Sequence, residues 1–144
     1  MTMPSEPVSI AVAVVQHAGN VLIGRRAPEG PLGGFWEFPG GRVRPDETPR
    51  EAAARECREE TGLAVRIGQL RLETVHHYDH GRLRLQFFDA SALDPAQTPR
   101  EPFRWVAVSE LGDYSFPAAN AAVLELLLAG NPRRDGETEM RRTS

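Results

Sequence analysis

Residues 41–63 read GRVRPDETPREAAARECREETGL, and this stretch decides how the rest of the chain is interpreted. Thr48 is a natural N-cap, Pro49 suits the first helical position, and Glu51 completes a Thr-x-x-Glu capping box. Gly62 supplies the left-handed residue at which a helix commonly ends. The stretch therefore predicts a helix that begins at Pro49 and ends just before Gly62.

Three carboxylates share one face of this predicted helix. At about 100° per residue, Glu56, Glu59 and Glu60 fall within an arc of roughly 100°. Arg55 can pair with Glu59 and Arg58 lies farther round, so we expect neither arginine to neutralise the cluster. A solvated acidic face is one explanation. The other is a hard divalent cation such as Mg²⁺, which binds through a few carboxylates together with substrate phosphates.

The spacing across the whole stretch resembles the Nudix box, G-x5-E-x7-R-E-U-x-E-E-x-G-U, in which U is a bulky aliphatic residue. Every polar and glycine position of that pattern is met, by Gly41, Glu47, Arg55, Glu56, Glu59, Glu60 and Gly62. The one departure is Cys57 at the first U position, where a cysteine can act as a small buried hydrophobe. The resemblance implies the Nudix fold, an α/β architecture with a mixed β-sheet sandwiched between α-helices.

The resemblance also implies a role for each matching position. The metal ligands for Mg²⁺, or for Mn²⁺ in its place, would be Glu56, Glu59, Glu60 and the backbone carbonyl of Gly40. Arg55 would orient a glutamate, and Glu47 would brace the junction between the loop and the helix. A glutamate must take a proton from the attacking water, and Glu56 and Glu101 are both candidates for this general base.

Beyond the box, residues 10–128 are similar to the MutT-type 8-oxo-dGTP diphosphatases. The run VLIGRRA places Arg26 near the phosphates and sugar, and the run FWEFPGGRV places Phe35 where it could approach a base. The run SFPAAN matches an element whose asparagine bonds the purine edge, here Asn120. An amide offers both a donor and an acceptor to a purine, although asparagine also favours helix N-caps.

The reaction implied is Mg²⁺-dependent hydrolysis of a nucleoside triphosphate to the monophosphate and pyrophosphate, with 8-oxo-dGTP as the expected substrate and nucleotide-pool sanitation as the role. A pyrimidine-nucleotide pyrophosphohydrolase is the alternative, since those enzymes share the sequence pattern WEF-x-GG-x-V-x-PDE. Aspartate, however, is common at their equivalent of Asn120. A third alternative is a non-catalytic nucleotide-binding module. Such modules usually lose glutamates of the box, and this chain has kept them.

Hydrophobic periodicity places the other elements. Strands are predicted at residues 8–16, 20–25, 63–75, 83–90 and 103–108, with a short FWEF strand between the second and the helix. A second helix is predicted at residues 117–129, with an apolar stripe of Val123, Leu124, Leu127 and Leu128. We expect residues 1–130 to form one domain and residues 131–144 to be a disordered tail.

Composition excludes several other classes. The chain has 144 residues, one cysteine, no lysine and a formal net charge of −3. It therefore forms no intrachain disulfide and is a poor binder of nucleic-acid polymers. No apolar run reaches the roughly 18 residues of a membrane span and none resembles a signal peptide, so we expect a cytoplasmic protein. The resemblance to the Nudix family implies a monomer or a homodimer. His76, His77 and His80 resemble a metal site, but adjacent strand residues such as His76 and His77 point to opposite faces and cannot easily reach one ion. We therefore interpret the three histidines as strand-end and turn residues.

Overall fold

The computed structural model describes residues 6–130, and within them seven strands form one mixed sheet. The strands are β1 (Val8–His17), β2 (Asn20–Arg25), β3 (Trp36–Glu37), β4 (Gly40–Arg42), β5 (Val65–Tyr78), β6 (Gly81–Ala92) and β7 (Phe103–Ala107). The α-helices are α1 (Pro49–Thr61) and α2 (Ala121–Gly130), and two short 3-10 helices span Val108–Asp113 and Ala118–Asn120.

The sheet is organised around β1. Its main order is β3-β2-β1-β6-β5, while β4 pairs with β1 and β7 pairs with β2. The β1–β2 hairpin closes through Ala18 and Gly19, whose φ angles of 50° and 83° suit a tight two-residue turn. By contrast, β1 runs parallel to β6, and this pairing makes the sheet mixed.

Alternating side chains of β1 build two separate cores, one on each face of the sheet. Ala11, Ala13 and Val15 pack with Ala52, Ala53 and Cys57 of α1. Val12 and Val14 pack with Val123 and Leu127 of α2. Each fully buried valine or leucine among them stabilises the fold by about 1.5–3 kcal/mol. The expected sheet sandwiched between helices is therefore confirmed.

Both predicted ends of α1 are confirmed. The Glu51 N–H donates to the Thr48 hydroxyl at 3.1 Å, and the Thr48 N–H donates to the Glu51 carboxylate at 2.8 Å. At the other end, Gly62 has a φ of 80° and its N–H donates to the Arg58 carbonyl at 2.9 Å. These local bonds fix the direction in which the helix carries its carboxylates.

Several predicted boundaries were wrong. The second α-helix begins at Ala121 rather than at residue 117, because residues 118–120 form a 3-10 turn. Its stripe is also narrower than predicted, since Val123 and Leu127 are buried whereas Leu128 is 37% exposed. The FWEF strand shortens to Trp36 and Glu37, where β2 offers a partner.

The β5–β6 hairpin is longer than predicted, with β5 continuing to Tyr78. The two strands pair from Val65 opposite Ala92 to Tyr78 opposite Gly81, and this backbone pairing keeps both strands regular beyond the predicted bounds. The predicted tail, residues 131–144, lies outside the described residues. No helix within residues 6–130 combines the length and the apolarity that crossing a membrane requires.

Candidate active site

The carboxylates of α1 meet the sheet at Gly41. A side-chain β-carbon at position 41 would overlap the carboxylate of Glu56, so glycine leaves the space that this carboxylate occupies. Gly40 is equally constrained, because a β-carbon there would overlap the Ala11 carbonyl oxygen on β1. The two glycines therefore let the helix carboxylates and the edge of the sheet approach each other closely.

Arg55 is the centre of an ion-pair network. Its guanidinium donates to Glu47 at 2.6 and 3.0 Å, to Glu56 at 3.2 Å and to Glu59 at 3.2 Å. A further bond at 3.1 Å reaches the carbonyl of Arg42. Arg55 pairs with Glu59 as predicted, and it also bonds Glu56 and the preceding loop, which the sequence did not predict. Its single positive charge is shared among three carboxylates, so it does not neutralise the cluster.

The network changes how Glu47 and Arg55 ionise. The hydrogen bonds from Arg55, assisted by the Arg44 N–H, lower the pKa of Glu47 from 4.5 to about 2. Hydrogen bonding to Glu47 is in turn the main cause that raises the pKa of Arg55 above its usual range. Glu47 therefore joins the loop to the helix as a permanent anion at neutral pH.

Glu60 is the carboxylate that this network leaves out. Its Oε1 accepts from the Gly40 N–H at 3.1 Å, and no arginine within residues 6–130 pairs with it. Burial, together with the nearby charges of Glu37, Glu56 and Glu59, raises the pKa of Glu60 to about 7, although the Gly40 bond opposes this shift. A positive charge at this position would stabilise the ionised carboxylate of Glu60.

The donor set fits a hard divalent cation. Within the described part of the chain, no group of three His, Cys, Asp or Glu side chains converges as a ready-made metal cage. Mg²⁺ does not need such a cage, because it usually takes one or two carboxylates and completes its shell with water and phosphate oxygens. Glu56 at Gly41 and Glu60 at Gly40 place two carboxylates at neighbouring points of the sheet, and these residues would hold such an ion.

A cavity of about 340 Å³ opens beside this point. It lies on the face of the sheet that carries α2, and its lining is mainly apolar. The lining residues include Ile10, Val12, Leu32, Phe38, Leu83, Leu85, Pro117 and Ala119, with Gly40 and Gly41 at the end nearest α1. This volume lies within the usual range of small-molecule sites.

Three side chains supply the polar groups of the cavity: Arg26, Glu37 and Asn120. Arg26 donates to Glu37 at 2.7 Å and to the Pro31 carbonyl at 3.0 Å. The Asn120 amide makes a long bond of 3.5 Å to the Pro117 carbonyl. The predicted residues Arg26 and Asn120 thus line one cavity.

Glu37 was missed by the sequence analysis. Burial raises its pKa, while the charge and hydrogen bond of Arg26 oppose the shift. Its position in FWEF carried one usable signal, since a charged residue in a short apolar strand needs a partner. Because successive side chains of a strand point to opposite faces, Glu37 lies on the face opposite to that of its neighbour Trp36.

Two other predicted residues lie apart from the cavity lining. Phe35 is half-buried beside the loop, where its carbonyl accepts from the Arg26 N–H, and Phe38 takes the cavity position. Glu101 is exposed in the turn before β7. That turn packs against the C-terminal end of α1, where Arg100 bonds the carbonyls of Thr61 and Glu59.

Cys57 is completely buried among the apolar residues beneath α1. Burial raises the pKa of its thiol from 9 to about 11, and its Sγ lies 3.6 Å from the Thr61 hydroxyl. The cysteine therefore packs as a small hydrophobe at the aliphatic position of the pattern, as expected from the sequence.

Comparison with known proteins agrees with this arrangement. The NUDIX domain family matches residues 10–126. The 8-oxo-dGTP diphosphatase of Proteus vulgaris is 37% identical over 87 residues, which cover 60% of this chain and 78% of that protein. The CTP pyrophosphohydrolase of Escherichia coli K12 is 37% identical over 62 residues, or 43% of this chain and 46% of that protein.

Among solved structures, the solution structure of the E. coli ORF135 protein superposes with a TM-score of 0.74 and 26% identity. It covers 90% of this chain and 94% of that one. The shared architecture is a sheet between two helices, in which the carboxylates of one helix meet paired glycines. This chain belongs to the Nudix hydrolase family, whose members act on nucleotide substrates and generally use divalent metals.

Proposed function

We propose that this chain hydrolyses a nucleoside triphosphate to the monophosphate and pyrophosphate with Mg²⁺, and that 8-oxo-dGTP is its preferred substrate. The observation that carries the proposal is the continuity of the site. A cavity of about 340 Å³ holding one asparagine amide ends at Gly40 and Gly41, where the carboxylates of α1 begin. A base in the cavity would therefore direct its phosphates towards those carboxylates.

In this proposal the residues of the chain divide the work. Bound Mg²⁺, held by Glu56, Glu59, Glu60 and the Gly40 carbonyl, would offset phosphate charge and acidify a water. Arg55 keeps Glu56 and Glu59 oriented through its two 3.2 Å bonds. Glu56 takes the proton of the water, with Glu101 as the competing candidate.

Base recognition falls to the other end of the cavity. The Asn120 amide offers one donor and one acceptor, which match O6 and an N–H of an 8-oxopurine. Phe38, Leu83 and Leu85 supply apolar walls for the ring. Arg26 also lines the cavity, and in this proposal it contacts the sugar or the phosphates. The Proteus vulgaris relative, an 8-oxo-dGTP diphosphatase, supports this choice of base.

A pyrimidine substrate, CTP, dCTP or 5-methyl-dCTP, is the second candidate. The similarity to the E. coli CTP pyrophosphohydrolase and the run Pro45-Asp46-Glu47 favour it. Asn120 favours the purine, and we give it more weight because it lines the cavity whereas Asp46 is exposed. In either case all the Nudix box glutamates are present, which argues for hydrolysis rather than passive binding of nucleotides.

The test is kcat/KM with Mg²⁺ for 8-oxo-dGTP, dGTP, dCTP and 5-methyl-dCTP, with pyrophosphate release as the readout. We expect 8-oxo-dGTP to exceed dGTP by at least about 100-fold, since a site that bonds polar edges rejects analogues that leave its groups unpaired. Asn120→Ala should remove most of this preference. Asn20→Ala, at the start of β2, is the matched control.

The competing outcomes are distinct. A preference for cytidine substrates would replace the proposed substrate by the second candidate. Hydrolysis of all four at equal rates would remove the sanitation role. A preference for 8-oxo-dGTP that survives Asn120→Ala would keep the substrate but move base recognition to other residues of the cavity.

A further inference from the structure

The cavity has two walls that come from distant parts of the chain. One wall segment begins at Trp36 and contributes Glu37 and Phe38 to the cavity. The other begins at Tyr114 and contributes Pro117 and Asn120. Because no regular strand pairing joins these two segments, the distance between them depends on side-chain contacts and on single hydrogen bonds.

Three contacts join the two wall segments. The Trp36 N–H donates to the Ser115 carbonyl at 2.8 Å. The rings of Trp36 and Tyr114 meet edge to face, with centroids 4.9 Å apart. Phe38 and Phe116 stack with centroids 5.0 Å apart. Each contact pairs a residue of the first wall segment with a residue of the second.

Arg104 of β7 covers this junction. Its guanidinium carbon lies 4.9 Å from the Trp36 ring centroid and 5.9 Å from that of Tyr114. Within residues 6–130 it forms no salt bridge, so its charge is directed at the two rings. A guanidinium within about 6 Å of an aromatic face is attracted by the electron density of the ring. None of these three side chains lines the cavity.

We propose that Trp36, Tyr114 and Arg104 form an aromatic clamp that sets base selectivity by holding Asn120 at a fixed distance from Phe38. The clamp residues are positioning residues, because they act through the walls and do not touch the substrate. The inference rests on the proposed function in taking the cavity as the site where the base is read. A looser clamp would let the amide shift relative to the apolar wall, which weakens binding of the preferred base most.

The test compares variants that break the clamp with variants that preserve it. Arg104→Gln and Tyr114→Leu remove a cation and a ring, whereas Arg104→Lys and Tyr114→Phe keep them. Arg71→Gln is the matched control, because it breaks an arginine contact, the 2.8 Å pair with Asp89, on a strand that does not line the cavity. The measurements are KM, kcat and selectivity for the preferred triphosphate against the other triphosphates, at a temperature well below each Tm.

We expect Arg104→Gln to raise KM for the preferred substrate by about three- to fivefold and Tyr114→Leu by about tenfold. Both should leave kcat within about twofold and lower the selectivity ratio. The Lys and Phe variants and the Arg71 control should resemble the wild type. Equal changes for all substrates, or unchanged KM and selectivity, would overturn the inference by reducing the clamp to a structural contact.

Failure of the proposed function is distinguishable from failure of the clamp. If the wild type prefers a pyrimidine, the proposed substrate is wrong, and the clamp is supported only if that preference weakens in the same two variants. If no triphosphate is hydrolysed, the dissociation constants of the corresponding monophosphates take the place of KM. If no monophosphate binds the wild type, the inference is overturned as well.

Discussion

The carboxylate of Glu47 and the guanidinium of Arg55 form a two-pronged ion pair, with N–O distances of 2.6 and 3.0 Å. Glu47 lies in the loop before α1 and Arg55 lies in the second turn of the helix, so the pair fixes the loop that brings Gly40 and Gly41 to the carboxylates. Planar bidentate pairs of this kind are more specific in geometry than single contacts.

This pair predicts how stability depends on pH. The pKa of Glu47 is lowered from 4.5 to about 2, so its contribution is present above pH 4.5 and is lost as the pH falls from about 4.5 towards 2. Glu47→Gln should lower Tm at pH 7 by about 5 °C, and this difference should shrink below pH 4.5. Thermal unfolding at pH 7, 4 and 3 measures it. The exposed neighbour variant Asp46→Asn should show no such trend, and a difference that is constant with pH would contradict the assignment.

The contact between Gly41 and Glu56 predicts the effect of a single methyl group. Gly41→Ala would displace the Glu56 carboxylate, because the new β-carbon overlaps it. Since the displaced group is a side-chain end, we expect the fold to remain but the Mg²⁺ concentration for half-maximal rate to rise by about tenfold or more. Activity measured across a Mg²⁺ titration tests this. Gly112→Ala adds a methyl group in open space and serves as the control; equal Mg²⁺ requirements in both variants would refute the prediction.

The two candidates for the general base should separate by rate. Glu56 lies against Gly41 at the end of the cavity, whereas Glu101 is exposed and lies outside the cavity lining. We expect Glu56→Gln to lower kcat by about 10²–10⁴-fold and Glu101→Gln to lower it by less than about tenfold. Single-turnover rates at saturating Mg²⁺ provide the measurement. The reverse order of effects would assign the base to Glu101.

Burial of Cys57 predicts a thiol that is inert in the folded protein. Its pKa is raised to about 11, so at pH 8 the thiolate fraction is about 100-fold lower than for a thiol of pKa 9. A disulfide reagent such as DTNB should therefore label the native protein at least about 100-fold more slowly than the protein in guanidinium chloride. Rapid labelling of the native protein would show that the helix does not bury this residue.

Local features were readable from the sequence, whereas long-range ones were not. The cap at Thr48 and the end at Gly62 depend on residues three or four positions away, and both predictions were confirmed. The parallel pairing of β1 with β6 joins residues about 75 positions apart. The alternation of side chains along a strand indicates which face is buried, but it does not indicate which strand lies alongside.

The same limit applies to the candidate site. The spacing of the Nudix box placed the carboxylates on one helix face, since helical geometry is local. It did not reveal that Arg55 reaches Glu56 and Glu47 together, which depends on how the loop folds back. Glu37 was missed for a similar reason, because its importance arises only when β3 brings it to Arg26 and into the cavity.

The two cores on opposite faces of the sheet separate two kinds of evolutionary change. Residues that would recognise the base lie on the α2 face, while the carboxylates that we propose for hydrolysis belong to α1 on the other, and within residues 6–130 the two sets approach each other at Gly40 and Gly41. Under the proposed function, a substitution at Phe38, Leu85 or Asn120 would therefore change the substrate while the carboxylates of α1 stay in place. One scaffold with this division could therefore serve hydrolases that differ in substrate and share the same reaction.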